Sequence, residues 1–365
     1  MHIRLDKIAS STRNANVPQH ARLTTHIPAL PGTVVAVRVL DDKDRYNQLE
    51  DLHGRMMTVH RGDIIAGVLG ERRALRGYAG VVPSHVEAGD TLHLLNLGGV
   101  IGLCTSSSPD VGPPARVEVL GGIVAPGEAA WADAIAASIR PGPVKPADTL
   151  QDVPPAIYML GSCMSAGKTA AAATVVRELT RAGLRVGVAK VTGVALRRDT
   201  LDMMDHGAVT AYTFTDAGLP STCVGDVAGT RELVRAARGC LNALGRDGVD
   251  VAVIEFGDGL LGDYGVMDLL AAPDLRAAAR AVVFAATDPV AAWGGVELLM
   301  QRGIAVDVVT GPATDNDAGC SSVRHRMGVA AANARKQPEL LGKLVLAALE
   351  RRAAAAVAPQ QEVRA

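Results

Sequence analysis

Aromatic residues make up only 3% of this 365-residue chain, as five Tyr, three Phe and two Trp. Its cores must therefore be filled with Ala, Val and Leu, and so few rings argue against a base-stacking platform. Cysteine is sparse and dispersed. Cys104, Cys163, Cys223, Cys240 and Cys320 are odd in number and contain no C-x-x-C pair, which argues against a disulfide framework and against a zinc site. No run approaches the ~20 apolar residues of a membrane span, and the opening "MHIRLDKIAS" lacks the apolar core of a signal peptide. Excess charge of one sign is also missing. The 37 basic and 38 acidic residues leave a net charge of −1, so there is no electrostatic case for nucleic acid or an anionic membrane as partner. The expectation is a reduced, cytoplasmic protein. Lysine is scarce as well, occurring only at Lys7, Lys43, Lys145, Lys168, Lys190, Lys336 and Lys343. An Arg- and Ala-rich composition accounts for that, but two of these lysines fall close together mid-chain.

What is present reads as an ordinary globular protein, 48% hydrophobic and 21% charged, long enough for two domains. Residues 1–30 are polar and unpatterned and are expected to form a flexible arm. Across 31–140, short β-type runs such as "TVVAVRVL", "DIIAGVLG" and "ARVEVLG" alternate with glycine turns, predicting a small β-barrel or sandwich domain. One helix-like piece, "GEAAWADAIAASI", follows. The proline-rich stretch at 141–155 reads as a linker. From 156 to 356 the pattern becomes βαβα, with continuous apolar runs "AIYMLG", "RVGVAKV", "DVAVIEFG", "AVVFAAT" and "IAVDVVT" separated by helical stretches. Such runs predict an α/β domain, a mostly parallel sheet covered by helices on both faces. Residues 357–365 read as a tail.

The segment "YMLGSCMSAGKT" (158–169) carries the chemistry. A phosphate-binding loop has the form G-x-x-x-x-G-K-[ST] between a strand and a helix. Here the first glycine, Gly161, stands one residue early, while Gly167, Lys168 and Thr169 open an alanine-rich helix. A bare GKT is a weak signal; between a buried strand and a long helix it is a strong one. Backbone amides of Gly161, Ser162, Cys163, Met164, Ser165, Ala166, Gly167, Lys168, Thr169 and Ala170 are expected to cradle phosphates. Lys168 would reach the β and γ oxygens, and Thr169 would hold Mg²⁺.

The spacing G-x₅-G-K-T in "GSCMSAGKT" resembles the variant loop of dethiobiotin synthetase and its relatives. These are SIMIBI-type P-loop proteins, which also include cobyrinate amide synthases and a poorly characterised family. "GLRVGVAKVTG" (183–193) is similar to the segment that ends in Lys-x-x-x-Thr-Gly or Lys-Thr-Thr-Gly there, and "DVAVIEFGDG" (250–259) to the strand that delivers a metal-binding glutamate. The likeness covers about 156–350. It departs at Ser162-Cys163, where the family has Thr-Asp, and at Phe256-Gly257-Asp258-Gly259, where the family has Gly-Gly after the glutamate. It implies ATP and Mg²⁺ as cofactors, a homodimer, and phosphorylation of a carboxylate or carbamate that drives C–N bond formation.

Lys190 ends the second strand, where active sites of open α/β sheets lie. It is read as a catalytic cation rather than a surface cap, because Val188 and Val191 beside it are of buried type. Glu255 follows "VAVI", where a carboxylate is costly unless paired or functional, and is read as a catalytic and metal residue. A second metal carboxylate is sought among Asp199, Asp202 and Asp205, with Asp202 preferred; a solvated acidic patch is the competing reading. Thr192, Gly193, Asp216, Ser221, Thr222, Asp258 and Asp263 are substrate candidates, with ordinary turn chemistry as the alternative for those in polar loops. The likeness places the nucleotide base near Thr287, Asp288, Pro289 and Gly311, though Asp288 also suits a helix N-cap. Cys163 reads as a small spacer, and Trp293 as a packing residue. His206 and His325 read as structural or exposed. The leading expectation is an ATP-dependent ligase; the alternatives are a small-molecule kinase and a nucleotide-switched, partner-binding ATPase.

Overall fold

The computed structural model of the chain describes residues 1–127, 134–223, 225 and 227–357. In the first half, Val34–Val39 pairs antiparallel with Ile64–Leu69 and with Arg116–Ile123. Ile64–Leu69 pairs in parallel with Val100–Ser107, and Thr91–Leu94 joins Val100–Ser107 to Arg116–Ile123. These five strands close into a barrel. Alternate residues fill it: Val35, Val37, Val39, Ile65, Leu69, Ile101, Val117 and Val119 share one core cluster. The residues between them, Val34, Ala36, Ala66, Val68 and Val100, form a second cluster on the outside with Leu5, Ala21, Leu23 and Ile139. Burial on both faces is why these strands read as unbroken apolar runs.

Residues 1–30 are the material that covers the outer face, so the expected flexible arm is corrected. His2–Arg4 pairs with His20–Thr24, which continues the sheet beside Arg116–Ile123, and Lys7–Ile8 lies parallel to Ile64–Leu69. The apolar residues of this segment are isolated singles and pairs with no strand or helix period, so the sequence alone does not disclose these strands. The helix expected near 127–139 falls partly on 128–133, outside the described residues. The described remainder forms isolated bridges, Val124 with Ala136 and Thr33 with Ser138.

The second half is a seven-stranded, all-parallel sheet. In chain order its strands are β1 (Ala156–Gly161), β2 (Val186–Thr192), β3 (Thr210–Thr213), β4 (Val251–Phe256), β5 (Ala279–Ala285), β6 (Val308–Thr310) and β7 (Ala330–Ala331). They lie in the spatial order β3-β2-β4-β1-β5-β6-β7. The intervening helices are α1 (Lys168–Arg181), α2 (Arg198–Asp205), α3 (Val227–Arg246), α4 (Val266–Ala271), α5 (Pro273–Ala278), α6 (Pro289–Met300), α7 (Asp317–Met327) and α8 (Pro338–Val357). The period-two alternation of a strand sorts its residues between two cores. Ala156, Tyr158 and Leu160 of β1 pack towards α3 and α6, and Ile157 and Met159 towards α1 and α8. The few rings are used at tight contacts: Tyr158 and Phe256 lie 4.8 Å apart at their centroids, and a Cβ at Gly295 would strike the Phe284 ring.

The proline-rich stretch lies along α3. Val144 and Ala147 donate to the carbonyls of Asp216 and Arg235 at 2.9 Å, and the Asn242 side chain accepts from Gln151 N and donates to Thr149 O. Val357 is the last described residue of α8, so the expected tail lies almost wholly outside the described residues. Among the described residues, no helix is long and apolar enough to cross a membrane.

Candidate nucleotide site at the head of the parallel sheet

β1 sits where the strand order reverses, between β4 and β5, and the turn from β1 into α1 lies at that switch point. The early glycine has a direct cause. Gly161 is the last residue of β1, and a Cβ there would come within 2.8 Å of Lys168 Cγ and 2.9 Å of its Cδ. The lysine stem folds back across the bare Cα, and its Nζ donates to Cys163 O at 2.8 Å. Ser165 and Gly167 take left-handed backbone angles, φ +63° and +95°, which turn the loop before α1 begins. Gly311, at φ +87°, backs the loop; a Cβ there would overlap Ala166 O and come within 2.9 Å of Ala286 O. Burial pushes the Lys168 ammonium below its ordinary value, against the pull of Glu255 and Asp258.

The adjoining strand ends supply a compact charged cluster. Lys190 and Glu255 are register neighbours on β2 and β4. Thr169 Oγ1 donates to Glu255 Oε1 at 3.0 Å, while Glu255 Oε2 is buried with no hydrogen-bond partner. Burial raises the Glu255 carboxyl, with Lys190 opposing. Lys190 Nζ is ion-paired with Asp199. Burial works against the Lys190 charge, yet the Asp199 and Glu255 carboxylates hold its ammonium above the ordinary value. Asp199 is likewise penalised by burial but is held below the usual carboxylate range by Lys190.

Asp258 completes the cluster. It stands at φ +64°, a backbone region that non-glycine residues enter mostly at functional or turn positions. Both its carboxylate oxygens are buried without a partner in hydrogen-bonding geometry, and burial raises its pKa. An orphaned buried acceptor costs about 1–3 kcal/mol; Glu255 Oε2 is one, and the Asp258 carboxylate has only the Gly259 and Met164 amides near it to offset its burial. Thr169 and Glu255 offer hard oxygen ligands, and Mg²⁺ needs only one or two of these beside phosphates and water. Among the described residues there is no cluster of three His, Cys, Asp or Glu able to hold a metal alone.

The remaining candidates separate. Asp202 lies with His206, 3.4 Å away on the outer part of α2; Asp199 is the α2 carboxylate at the strand ends. Thr192 donates to Gly257 O at 3.0 Å, and Thr222 Oγ1 accepts from Gly193 N at 2.9 Å and donates to Tyr264 O. These residues staple the 257–265 loop to β2. Asp216 accepts from Thr213 N and Oγ1 as turn chemistry. Asp288 caps α6 by accepting from Val290 N and Ala291 N at 2.9 Å, and Thr287 donates to it; Pro289 is the first residue of that helix. Trp293 is 53% exposed, so the expectation that it packs is corrected. His325 is exposed and contacts Ser321.

Ser221 and Thr222 line a cleft of about 310 Å³ between the two halves, together with Arg73, Arg140, Cys223 and Glu232. Asp263 lies 3.7 Å from the lining residue Arg73, and Tyr264 Oη accepts from Arg73 N at 3.0 Å. The 257–265 loop therefore runs from the phosphate loop to the cleft. At its start, a Cβ on Gly259 would overlap Ser162 O and stand 2.7 Å from Cys163 Cα. Gly259→Ala is expected to cost about 1–3 kcal/mol and to weaken Mg–nucleotide binding, which thermal melts with and without nucleotide will show.

No family model and no curated protein matches this chain. Among solved structures, it is similar to the signal recognition particle 54 kDa protein of Aeropyrum pernix K1 in complex with GDP, at 16% identity and TM-score 0.36 over 57% of this chain and 51% of that one. It is also similar to chloroplast FtsY of Physcomitrella patens, at 14% identity and TM-score 0.37 over 56% of this chain and 69% of that one. A third is a nucleotide-binding protein of Archaeoglobus fulgidus in complex with ADP, at 12% identity and TM-score 0.35 over 53% of this chain and 87% of that one. The chain spans about half the length of the first of these, and at such TM-scores none of them bears on function. The resemblance to dethiobiotin synthetase thus rests on its motifs alone. Strand order and loop geometry make the second half a P-loop NTPase-type α/β domain joined to a β-barrel.

Proposed function

We propose that the chain binds ATP with magnesium at residues 161–169 and transfers the γ-phosphoryl group to a small acceptor in the cleft between barrel and sheet. The observation that carries this is the convergence on the loop of three buried side chains, Lys168 from the first turn of α1 and Lys190 and Glu255 from neighbouring strand ends. Loop amides and the α1 N-terminus hold the phosphates. Lys168 neutralises charge at the β and γ oxygens, and Lys190 stabilises the equatorial charge that develops on the transferring group. Thr169 and Glu255 would hold the magnesium, which would supply further neutralisation of phosphate charge. With a carboxylate or carbamate acceptor no proton moves: an acceptor oxygen bonds to the γ-phosphorus, and the diphosphate leaves with the electron pair of the broken bond. An amine nitrogen then bonds to the acyl carbon, inorganic phosphate leaves with the electron pair of the broken C–O bond, and the amine's surplus proton passes to the departing phosphate or water.

A cleft of about 310 Å³ lies at the small end of ligand pockets. Its Arg73, Arg140 and Glu232 suit a polar acceptor. A second reading, a slow nucleotide-operated switch, is favoured by the tie between the barrel and α2 described below. Calorimetry with Mg–ATP and Mg–GTP, followed by an acceptor screen scored by diphosphate release, tests both. Saturable ATP binding with acceptor-stimulated release is expected. Absence of binding, in wild type and Lys168→Ala alike, overturns the proposal; binding with slow release that no acceptor stimulates moves it to the switch.

A further inference from the structure

Glu50 belongs to the barrel half, yet its carboxylate finds its partners in the sheet half. It is fully buried. Oε2 accepts from Arg197 N and Oε1 from Arg198 N, each at 2.7 Å, while its own amide donates to Leu97 O at 2.6 Å. These amides open α2, whose N-cap residue, Arg197, makes no side-chain capping bond. The first amides of a helix need acceptors, and its N-terminus favours negative charge. Here the acceptor comes from 147 residues away.

The same segment grips α2 twice more. The Arg197 guanidinium donates to Leu52 O. Gly54, at φ +91°, leaves room for Leu201, whose Cδ1 a Cβ at 54 would strike. These residues form a hairpin, Gln48–Glu50 with Met56–Thr58, whose two strands pair only with each other.

We infer that this hairpin is a positioning clasp: it holds α2 so that Asp199 meets Lys190, and thereby lets the barrel set the group that faces the γ-phosphate. The inference rests on the phosphoryl-transfer reading for its consequence, but not for its geometry. Asp199 is in the first turn of α2, so loss of the carboxylate at 50 loosens the turn that carries it. The phosphate-gripping elements, β1, the loop and α1, make none of these contacts. The clasp therefore acts on transfer and leaves nucleotide binding alone.

Two variants of the full chain test this from different residues. Glu50→Gln turns one of the two acceptors into a donor facing an amide, and Gly54→Val drives Leu201 outward. Each is expected to lower turnover by about tenfold or more with the Kd for Mg–ATP held within about threefold. Amide exchange should accelerate across 197–205 and stay unchanged in β1. Lys7→Met, which breaks the Lys7–Asp63 pair elsewhere in the barrel, should alter neither. A merely structural role would lower binding and turnover together, and that result overturns the clasp. Unchanged exchange across α2 in both variants overturns it as well, whatever the activity. Failure of wild type to bind nucleotide would instead strike the proposed function, and the exchange readout would still decide the clasp.

Discussion

Replacing Lys168 with alanine is expected to lower turnover by roughly 10²–10³-fold and to weaken Mg–ATP binding by about 1.5–3 kcal/mol, the range of a charged hydrogen bond. The ammonium is the one cation inside the loop itself, donating to Cys163 O across Gly161. Alanine leaves the loop amides in place but removes the charge that, in the proposed function, offsets the β and γ oxygens. Lys168→Arg is expected to fail nearly as badly. The stem lies against the bare Cα of Gly161, and a planar guanidinium cannot fold through the same gap. Calorimetry, steady-state turnover and a thermal melt on each variant separate lost binding from lost fold. A folded Lys168→Ala protein with wild-type affinity would mean that phosphate is held elsewhere.

The second large effect is on the buried pair. Lys190→Met leaves the Asp199 carboxylate beside the buried Glu255 with only the more exposed Arg198, 3.9 Å away, as an ion-pair partner, and breaking a buried pair from one side costs up to about 3–5 kcal/mol. Turnover should fall as well, since the developing phosphoryl charge loses its partner. Adding Asp199→Asn to Lys190→Met removes the stranded charge and should recover much of the stability but none of the activity, which a double-mutant cycle measures. The pH dependence has a definite sign. Asp199 is depressed in the folded chain, so its contribution is complete above the ordinary aspartate value of about 3.9. It is lost as pH falls through the lower folded value. Urea denaturation of wild type against Asp199→Asn should therefore show a gap that is constant near neutrality and closes only in acid. A gap that closes already near neutral pH would contradict the pairing.

The parallel sheet was legible because a strand buried on both faces reads as a continuous apolar run, and the loop because glycine, lysine and threonine stand between such a strand and a helix. The barrel strands were legible for the same reason. The first 30 residues were not, since Leu5, Ala21 and Leu23 are apolar singles whose burial depends on a surface made by residues 34–123. At the site, polar residues on glycine-rich loops mark the correct end of the sheet but not the contact each makes. Thr192 and Thr222 carry ligand-type groups and spend them on backbone, and Asp216 spends its carboxylate on Thr213 and Arg13. Asp202 was preferred over Asp199 on helical spacing with Asp205. The register is fixed by where α2 begins, and that depends on Glu50, which no local pattern in "NQLEDLHGR" discloses. Asp258 had a visible signal, a lone acid between two glycines, though not its orphaned oxygens.

The order in which the chain is synthesised gives the Glu50 contact one more consequence. The barrel's closing strand, Arg116–Ile123, pairs with segments that precede it in the sequence, so the barrel can assemble on a ribosome before any of the parallel sheet exists. A nascent barrel in that interval carries the Glu50 carboxylate without the two amides that later receive it, and water must serve in their place. Arrival of residues 197–198 then dehydrates the group, making the joining of the two halves a distinct late event in maturation.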